Sequence, residues 1–136
     1  MLTKILFLFF TASLIGCRSD ERLPTYPVTG RVILTDGSPL AGGWIICHSA
    51  RHGLAARGVI EPDGRYSLGT YEPRDGALAG NHLVAITPAN PPGHDPDQGA
   101  ALPAIHRRFM HMETSGLQLQ VEPDMKNHFE LTVEPP

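Results

Sequence analysis

The feature that most constrains this chain is a tight turn at Pro62-Asp63-Gly64, which separates two short runs of β-forming residues. Proline presets φ for a turn, aspartate accepts hydrogen bonds from nearby backbone groups, and glycine takes a positive φ without steric cost. Asp-Gly between β-formers is a strong signal for a β-hairpin. We therefore expect residues 57–60 and 65–68 to form a hairpin joined at this turn.

Similar turn signals recur along the chain and favour an all-β fold. The 136 residues include 14 glycines and 13 prolines, more than the usual share of either residue. Short runs in which apolar and polar residues alternate lie between the turns, which is typical of half-buried strands. The runs are residues 27–35, 44–49, 57–60, 65–68, 82–87, 117–121 and 128–133. They predict a seven-stranded antiparallel Greek-key sandwich.

Four further stretches carry finer expectations. The glycine-containing connection over residues 69–80 is predicted to carry the chain from one sheet to the other. Tyr66 is expected in the core, and Trp44, at the head of an apolar strand, is expected to be partly buried. The apolar spacing in residues 103–115 favours a turn or two of helix. The apolar face of that helix would comprise Ile105, Phe109 and Met112.

Residues 1–16 are a targeting segment. A short positive start is followed by an apolar run from Ile5 to Phe10, which continues to Ile15. This run is shorter than the roughly 20 apolar residues that a spanning helix needs. Leu14-Ile15-Gly16-Cys17 then resembles a bacterial lipobox, which implies cleavage before Cys17 and lipid attachment to it. An ordinary signal peptide, or a membrane anchor with an incidental cysteine, is the alternative.

The lipobox resemblance sets the expected organisation of the rest of the chain. Residues 17–26 are the lipidated cysteine and a polar tether, which fully extended reaches about 30 Å. Residues 27–134 are the folded domain. Several acyl chains anchor a protein stably because each buried CH₂ contributes about 0.8 kcal/mol. We expect an exported protein of the cell envelope, and Arg18 in place of the aspartate linked with inner-membrane retention favours the outer membrane.

The second cysteine is expected to be inert. If Cys17 carries lipid, Cys47 is the only other cysteine of the chain, and an intramolecular disulfide cannot form. Cys47 lies in an apolar strand, where a buried thiol behaves as a small hydrophobic residue. A reactive thiol would need an exposed, electropositive setting.

The order of several motifs resembles carboxypeptidase regulatory-like domains. Val28–Val32 and Asp36–Gly43 resemble the opening pattern V-x-G-x-V-x-x-x-G-x-P-L-x-G of that family. Asp63–Leu68 matches its D-G-x-Y-x-L pattern. Gly80–Ile86 is similar to its G-x-Y-x-V-x-V pattern, with His82 where tyrosine is usual.

The end of the chain is similar to a bacterial lipoprotein subgroup of the same family. Residues 103–105 and 114–117 resemble its I-P-x-x-Y … T-S-G-L tail, with His106 or Phe109 at the tyrosine position. The resemblance covers about residues 27–134. It implies a transthyretin-like (prealbumin-like) sandwich that acts as a folding, anchoring or binding module, and it supplies no catalytic residue.

Seven histidines raise the question of a metal site. No His-Glu-x-x-His or cysteine-rich spacing is present in the sequence. His94, His106 and His111 are the first candidates for ligands because they lie in predicted loops, where functional residues concentrate. The Asp-Gly pairs at Asp36, Asp63 and Asp75 are expected to form turns rather than calcium ligands.

The sequence gives little support for catalysis or nucleic-acid binding. No nucleophile elbow is present, and the C-terminal residues 130–136 lack the Tyr-Arg-Gly-Ser ending of transthyretin-like hydrolases that act on 5-hydroxyisourate. A formal charge of −3 without a basic block does not favour nucleic acid. We expect no enzyme and no cofactor.

Two functional hypotheses follow. The first is a structural or interaction module of the envelope, held to the membrane through lipid on Cys17, which binds a protein or glycan by its loops or a free sheet edge. The second is a lipoprotein that binds a metal or small ligand through its loop histidines, which requires those histidines to converge. We expect the function to lie in the loops that the sequence determines least, above all residues 88–115.

Overall fold

The structure is a computed structural model that describes residues 21–99 and 104–136. This part of the chain is mostly strand, with 3₁₀ turns at Pro96–Gln98 and Arg107–Met110 and one short helix, α1, at Met112–Ser115. The strands it contains are β1 (Thr25–Tyr26), β2 (Val28–Leu34), β3 (Gly43–Ser49), β4 (Ala55–Val59), β5 (Arg65–Ser67), β6 (Ala77–Leu78), β7 (Gly80–Pro88), β8 (Gln118–Val121) and β9 (Asn127–Val133).

The expected signal peptide over residues 1–16 and the expected lipid attachment at Cys17 lie outside the described residues. No helix within the described ranges has the length and apolar character needed to cross a membrane.

The strands form two sheets and a short ribbon. The larger sheet has the strand order β4-β3-β7-β8, the smaller sheet has the order β5-β2-β9, and β1 pairs with β6 in the ribbon. The inward-facing side chains of both sheets share one hydrophobic core. The all-β prediction is therefore confirmed, in a sandwich-like arrangement of three sheets and nine strands within the described ranges.

Every predicted run contains a strand, and the structure adds β1 and β6. Each of these two strands has only two residues, which is too short for alternation to be visible in the sequence. The Thr25–Tyr26 strand lies at the end of the segment that we assigned to the tether. Its partner is the Ala77–Leu78 strand, so the last two tether residues belong to the fold.

The prediction that all strands are antiparallel is wrong for β2 and β9. These strands run parallel over seven residue pairs, from Val28 opposite Asn127 to Leu34 opposite Val133. A hairpin forces neighbouring strands to be antiparallel, but strands far apart in the sequence have no such constraint. The relative direction of β2 and β9 is therefore determined by the tertiary structure and not by the local sequence.

The turn at Pro62-Asp63-Gly64 forms as predicted. The Gly64 N–H donates to the Glu61 carbonyl and the Glu61 N–H donates to the Arg65 carbonyl, both at 2.8 Å. The Asp63 carboxylate accepts the Arg65 N–H at 3.0 Å. Gly64, at the third position of this turn, has a φ of +83°, a conformation that favours glycine.

The hairpin expected around this turn is wrong. β4 pairs with β3 in the larger sheet, while β5 pairs with β2 in the smaller sheet. One isolated bridge joins Arg57 of β4 to Gly69, which lies two residues beyond the end of β5. The turn therefore carries the chain between sheets. The predicted crossing over residues 69–80 is confirmed, because these residues lead from β5 to β7 in the larger sheet.

The core contains the alternate, inward-facing positions of β2, β3 and β7. Its largest fully buried side chains are Phe109, Ile45, Ile60, Leu68, Ile86, Ile105, Leu119 and His82. Tyr66 is also buried, as predicted, and its hydroxyl donates to the Phe129 carbonyl at 2.9 Å. The ring reaches across Gly30, which is opposite Tyr66 on one side and Phe129 on the other.

The segment over residues 104–116 is built into the fold rather than looped out of it. Ile105 and Phe109 are fully buried, so the predicted apolar face is confirmed at these two positions. The His106 N–H donates to the Glu134 carbonyl at 2.8 Å. The buried Ser115 hydroxyl donates to the Val84 carbonyl at 2.5 Å. These contacts join the segment to the end of β9 and to β7.

Candidate functional site

The three candidate metal ligands have separate local roles. The His94 ring lies 2.8 Å from the Gly99 carbonyl through Nε2. The His106 ring accepts the Arg108 N–H at 3.2 Å and so begins the 3₁₀ turn that follows it. His111 is exposed and precedes α1. Each of the three histidines is thus placed by its own local turn or helix start.

Within residues 21–99 and 104–136, no group of three or more histidine, cysteine, aspartate or glutamate side chains is arranged to hold a metal ion. The convergence that the metal hypothesis requires is therefore not seen in the described chain. His82 is likewise placed by the fold, since it is buried and its Nδ1 donates to the Gly80 carbonyl at 3.1 Å.

The Asp-Gly aspartates form turns, as predicted. Asp36 accepts the Ser38 N–H at 2.9 Å and its hydroxyl at 2.5 Å. These two hydrogen bonds favour the carboxylate and hold the pKa of Asp36 below its usual value. Asp63 accepts the Arg65 N–H, and Asp75 accepts three N–H groups, as described below.

Cys47 is fully buried on the inner face of β3. Burial disfavours the thiolate and raises the pKa of Cys47 to about 12. A thiol in this state is a poor nucleophile, which agrees with the structural role predicted for it.

A groove of about 960 Å³ lies where two sheet edges meet, and we call it the β4–β5 groove. β4 is an edge of the larger sheet, and β5 is an edge of the smaller one. The Arg57 and Gly69 backbones exchange two hydrogen bonds of 2.9 Å there. A Cβ on Gly58 would lie only 2.7 Å from the Ser67 carbonyl oxygen. Backbone contacts therefore hold the edges together along the groove.

One wall of the groove is a loop that Asp75 organises. The Asp75 carboxylate accepts the N–H groups of Thr70 at 2.6 Å, Tyr71 at 3.1 Å and Glu72 at 3.0 Å. The Thr70 hydroxyl donates to the Gly76 carbonyl at 2.8 Å. Bonds to a carboxylate are stronger than neutral ones, so Tyr71 and Glu72 project into the groove from a fixed backbone.

A second part of the groove lining is a row of exposed side chains that we call the Trp44 ridge, formed by Trp44, Arg57, Val59 and Glu61. Trp44 and Val59 are directly opposite each other on β3 and β4 and are 54% and 52% exposed. Arg57 and Glu61 are exposed and precede and follow Val59 by two residues. Residues two apart on an extended chain share a face and lie about 6.6 Å apart.

The exposure of Trp44 differs from the expectation that it would be partly buried in the sandwich. Alternation on β3 turns Ile45 and Cys47 inward, so Trp44 faces outward. Both faces of this strand are apolar in sequence, and alternation alone does not indicate which face the core covers.

Polar side chains of the smaller sheet continue the groove. Thr29 and His128 are opposite each other on β2 and β9, and the Thr29 hydroxyl lies 3.2 Å from His128 Nδ1. Arg31 Nε donates to the Asp63 carbonyl at 3.1 Å. Arg65 forms an exposed ion pair with Asp63 at 3.4 Å, which contributes little to stability. The groove thus contains hydrogen-bond donors and acceptors, including cationic and anionic side chains, next to the exposed indole of Trp44.

Sequence reasoning missed this site because it searched the loop over residues 88–115, whereas the groove is lined from β2, β3, β4, β5, β9 and the residue 69–74 loop. One signal was present. Arg57, Val59 and Glu61 alternate with the buried Gly58 and Ile60, which marks an exposed row beside the turn.

Comparison of the chain with protein-family models, with curated proteins and with solved structures gave no significant match.

Proposed function

We propose that this protein is a non-catalytic lipoprotein of the bacterial cell envelope whose β-sandwich binds an envelope protein or glycan through the β4–β5 groove. Lipid on Cys17 would hold it to the membrane, with the outer membrane favoured by Arg18. The observation that carries the binding role is the groove itself, where an exposed tryptophan and open charged groups are mounted on hydrogen-bonded backbone. Clefts that bind small ligands typically have volumes of about 300–1,000 Å³.

The relation between Tyr66 and Gly30 supports the resemblance to carboxypeptidase regulatory-like domains with a transthyretin-like, seven-stranded Greek-key core. Gly30 belongs to the V-x-G-x-V pattern and Tyr66 to the D-G-x-Y-x-L pattern. The two residues pair across β2 and β5, and the tyrosine ring occupies the space that a Cβ on Gly30 would take. Motifs that are far apart in the sequence therefore depend on each other physically, as expected if they define one fold.

The anchoring part of the proposal is tested by expressing the full chain in a bacterial host with a clickable fatty acid. We expect the protein to carry the label and sediment with membranes, and we expect Cys17→Ser to abolish the label and release the protein. Cys47→Ala is the matched control, since it removes the other cysteine of the chain and should leave the label in place. Equal fractionation of the wild-type and Cys17→Ser proteins would refute the anchor.

The binding part is tested by photo-crosslinking in intact envelopes with a crosslinker placed at Tyr71, which lines the groove. We expect a discrete adduct that is lost when Arg74, another residue of the same wall, is changed to glutamate. A crosslinker at Met125, which is 55% exposed in the turn between β8 and β9, is the control. Adducts of equal yield at both positions would show that the groove has no specific occupant.

A further inference from the structure

The Trp44 ridge combines an exposed aromatic face with one cationic and one anionic side chain. Trp44 is the single tryptophan of the chain, and it projects from β3, a central strand of the larger sheet. A strand holds a side chain more rigidly than a mobile loop does. Large aromatic side chains usually bury most of their surface, so an indole exposed by 54% on such a strand marks a surface suited to a flat partner.

The charged members of the ridge have open hydrogen-bonding capacity. Among residues 21–99 and 104–136, no ion pair engages Arg57 or Glu61. At about 3.3 Å per residue, their Cα atoms lie about 13 Å apart along the extended chain, with Val59 between them. A guanidinium group only donates hydrogen bonds, and a carboxylate only accepts them.

These groups select the chemistry of the ligand. An anionic ligand would be attracted by Arg57 but repelled by Glu61. A cationic ligand would be attracted by Glu61 but repelled by Arg57. A hydrocarbon would leave both charges without partners, which is costly. A hydroxyl group both donates and accepts hydrogen bonds, so a neutral polyhydroxylated ligand satisfies both side chains. The C–H groups on the face of a sugar ring also match the electron-rich face of an indole.

A peptide that adds a strand to β4 fits less well. The Arg57 N–H and C=O, at the middle of this strand, already bond to the Gly69 backbone at 2.9 Å. Strand addition needs a row of free backbone groups, and the bridge interrupts that row. The edge is therefore closed to β-augmentation at the point where the ridge stands.

We propose that the Trp44 ridge binds a neutral polysaccharide chain of the envelope, with one pyranose ring stacked on Trp44 and neighbouring hydroxyls bonded to Arg57 and Glu61. This inference rests on the proposed binding role of the β4–β5 groove and names the class of its ligand.

The direct test uses the fluorescence of Trp44, which reports only this site because the chain has no other tryptophan. The detergent-solubilised full chain is titrated with the hexamers of N-acetylglucosamine and of glucose, with hexagalacturonate, and with an uncharged hexapeptide. We expect a saturable change in emission with at least one neutral hexamer, and a weaker response or none with the polyuronate and the peptide.

Calorimetry with the responding hexamer then tests each side chain. Trp44→Ala should weaken binding at least about thirtyfold, the loss typical of an aromatic hot spot. Arg57→Ala and Glu61→Gln should each weaken it about tenfold, the effect of a hydrogen bond to a charged group. Met125→Ala, which truncates a side chain of similar exposure that does not line the groove, should leave binding unchanged.

Failure of both neutral hexamers to change the emission of Trp44, or a response only to the polyuronate or the peptide, would overturn the carbohydrate assignment. Equal affinity of the Trp44→Ala and wild-type proteins would overturn it as well. The broader proposal fails separately, because it requires the crosslinked adduct at Tyr71 whatever the chemistry of the adduct.

Discussion

At the scale of single residues, the placement of the Tyr66 ring depends on the absence of a side chain at Gly30. A Cβ on Gly30 would overlap the Phe129 carbonyl oxygen and the Tyr66 hydroxyl. The missing side chain lets the tyrosine cross β2 and donate its hydroxyl to β9. Burial raises the pKa of Tyr66 well above its ordinary value, so the hydroxyl remains a donor. One side chain thereby links all three strands of the smaller sheet.

Removing this hydroxyl tests the link. Tyr66→Phe keeps the ring but leaves the Phe129 carbonyl without its side-chain donor, so we expect a loss of about 1–2 kcal/mol in the free energy of unfolding. Urea denaturation of the two proteins measures the loss. Tyr71→Phe, on the groove loop, is the matched control and should change stability by less than about 0.5 kcal/mol. Equal stability of the wild-type and Tyr66→Phe proteins would contradict this role.

At the scale of elements, turns rather than strands decide where the chain goes. The Pro62-Asp63-Gly64 turn could be predicted because its residue types meet the φ requirements of a tight turn. The strands on either side could not be assigned to sheets, since both are short and each can pair with any strand that presents free backbone groups. The sequence predicted the residue 69–76 loop only as a connection. The hydrogen bonds that organise it join the Asp75 carboxylate to backbone N–H groups three to five residues earlier, and local residue types do not reveal them.

The Asp75 carboxylate gives this element a sharp test. Asp75→Asn keeps the size of the side chain but replaces one accepting oxygen with a donor that opposes the backbone N–H groups. We expect a loss of about 1–3 kcal/mol in unfolding free energy, together with faster hydrogen exchange at the amides of Thr70, Tyr71 and Glu72.

The control for this change is Asp95→Asn, because the Asp95 carboxylate accepts a single N–H, that of Asp97, in a separate 3₁₀ turn. Its effect should not exceed about 1 kcal/mol, the usual value of one turn-capping bond. Unchanged exchange at the three loop amides in Asp75→Asn would show that the carboxylate does not hold the loop.

At the scale of the whole molecule, the fold is closed by contacts between distant parts of the chain. β9 completes the smaller sheet beside β2, and residues 104–116 attach both to the end of β9 and to β7. The core between the sheets also contains an ionisable group, because His82 is 1% exposed. Burial lowers the pKa of His82, and repulsion from His48 and His52 adds to this effect.

The buried histidine predicts how stability depends on pH. His82 has a lower pKa in the folded protein than its ordinary value of 6.5. Well above pH 6.5 this histidine is neutral in both the folded and the unfolded protein. As pH falls below that value the unfolded chain binds a proton that the folded chain excludes, so stability decreases by up to about 1.4 kcal/mol per pH unit until the folded pKa is reached.

Unfolding free energies between pH 7.5 and pH 5 measure this effect. We expect the decrease with falling pH to be smaller in His82→Gln, which removes the titrating group and leaves a side chain able to donate to the Gly80 carbonyl. His128→Gln, at an exposed position, should retain the wild-type slope. Parallel curves for the wild-type and His82→Gln proteins would show that His82 does not control the pH dependence.

The sequence by itself determined the seven strands of three or more residues in the described ranges and the main turns. Tyr66 and Cys47 were predicted as buried, because alternation and turn chemistry are local properties of a chain. The pairing of β4 and β5 with different sheets, the parallel direction of β9 and the outward face of Trp44 were decided by the tertiary structure. Backbone hydrogen-bonding groups are the same in every strand, so local residues do not specify a partner. The pairing of β3 with β4 brought Arg57 and Glu61 beside Trp44, and the meeting of the two sheet edges completed the groove.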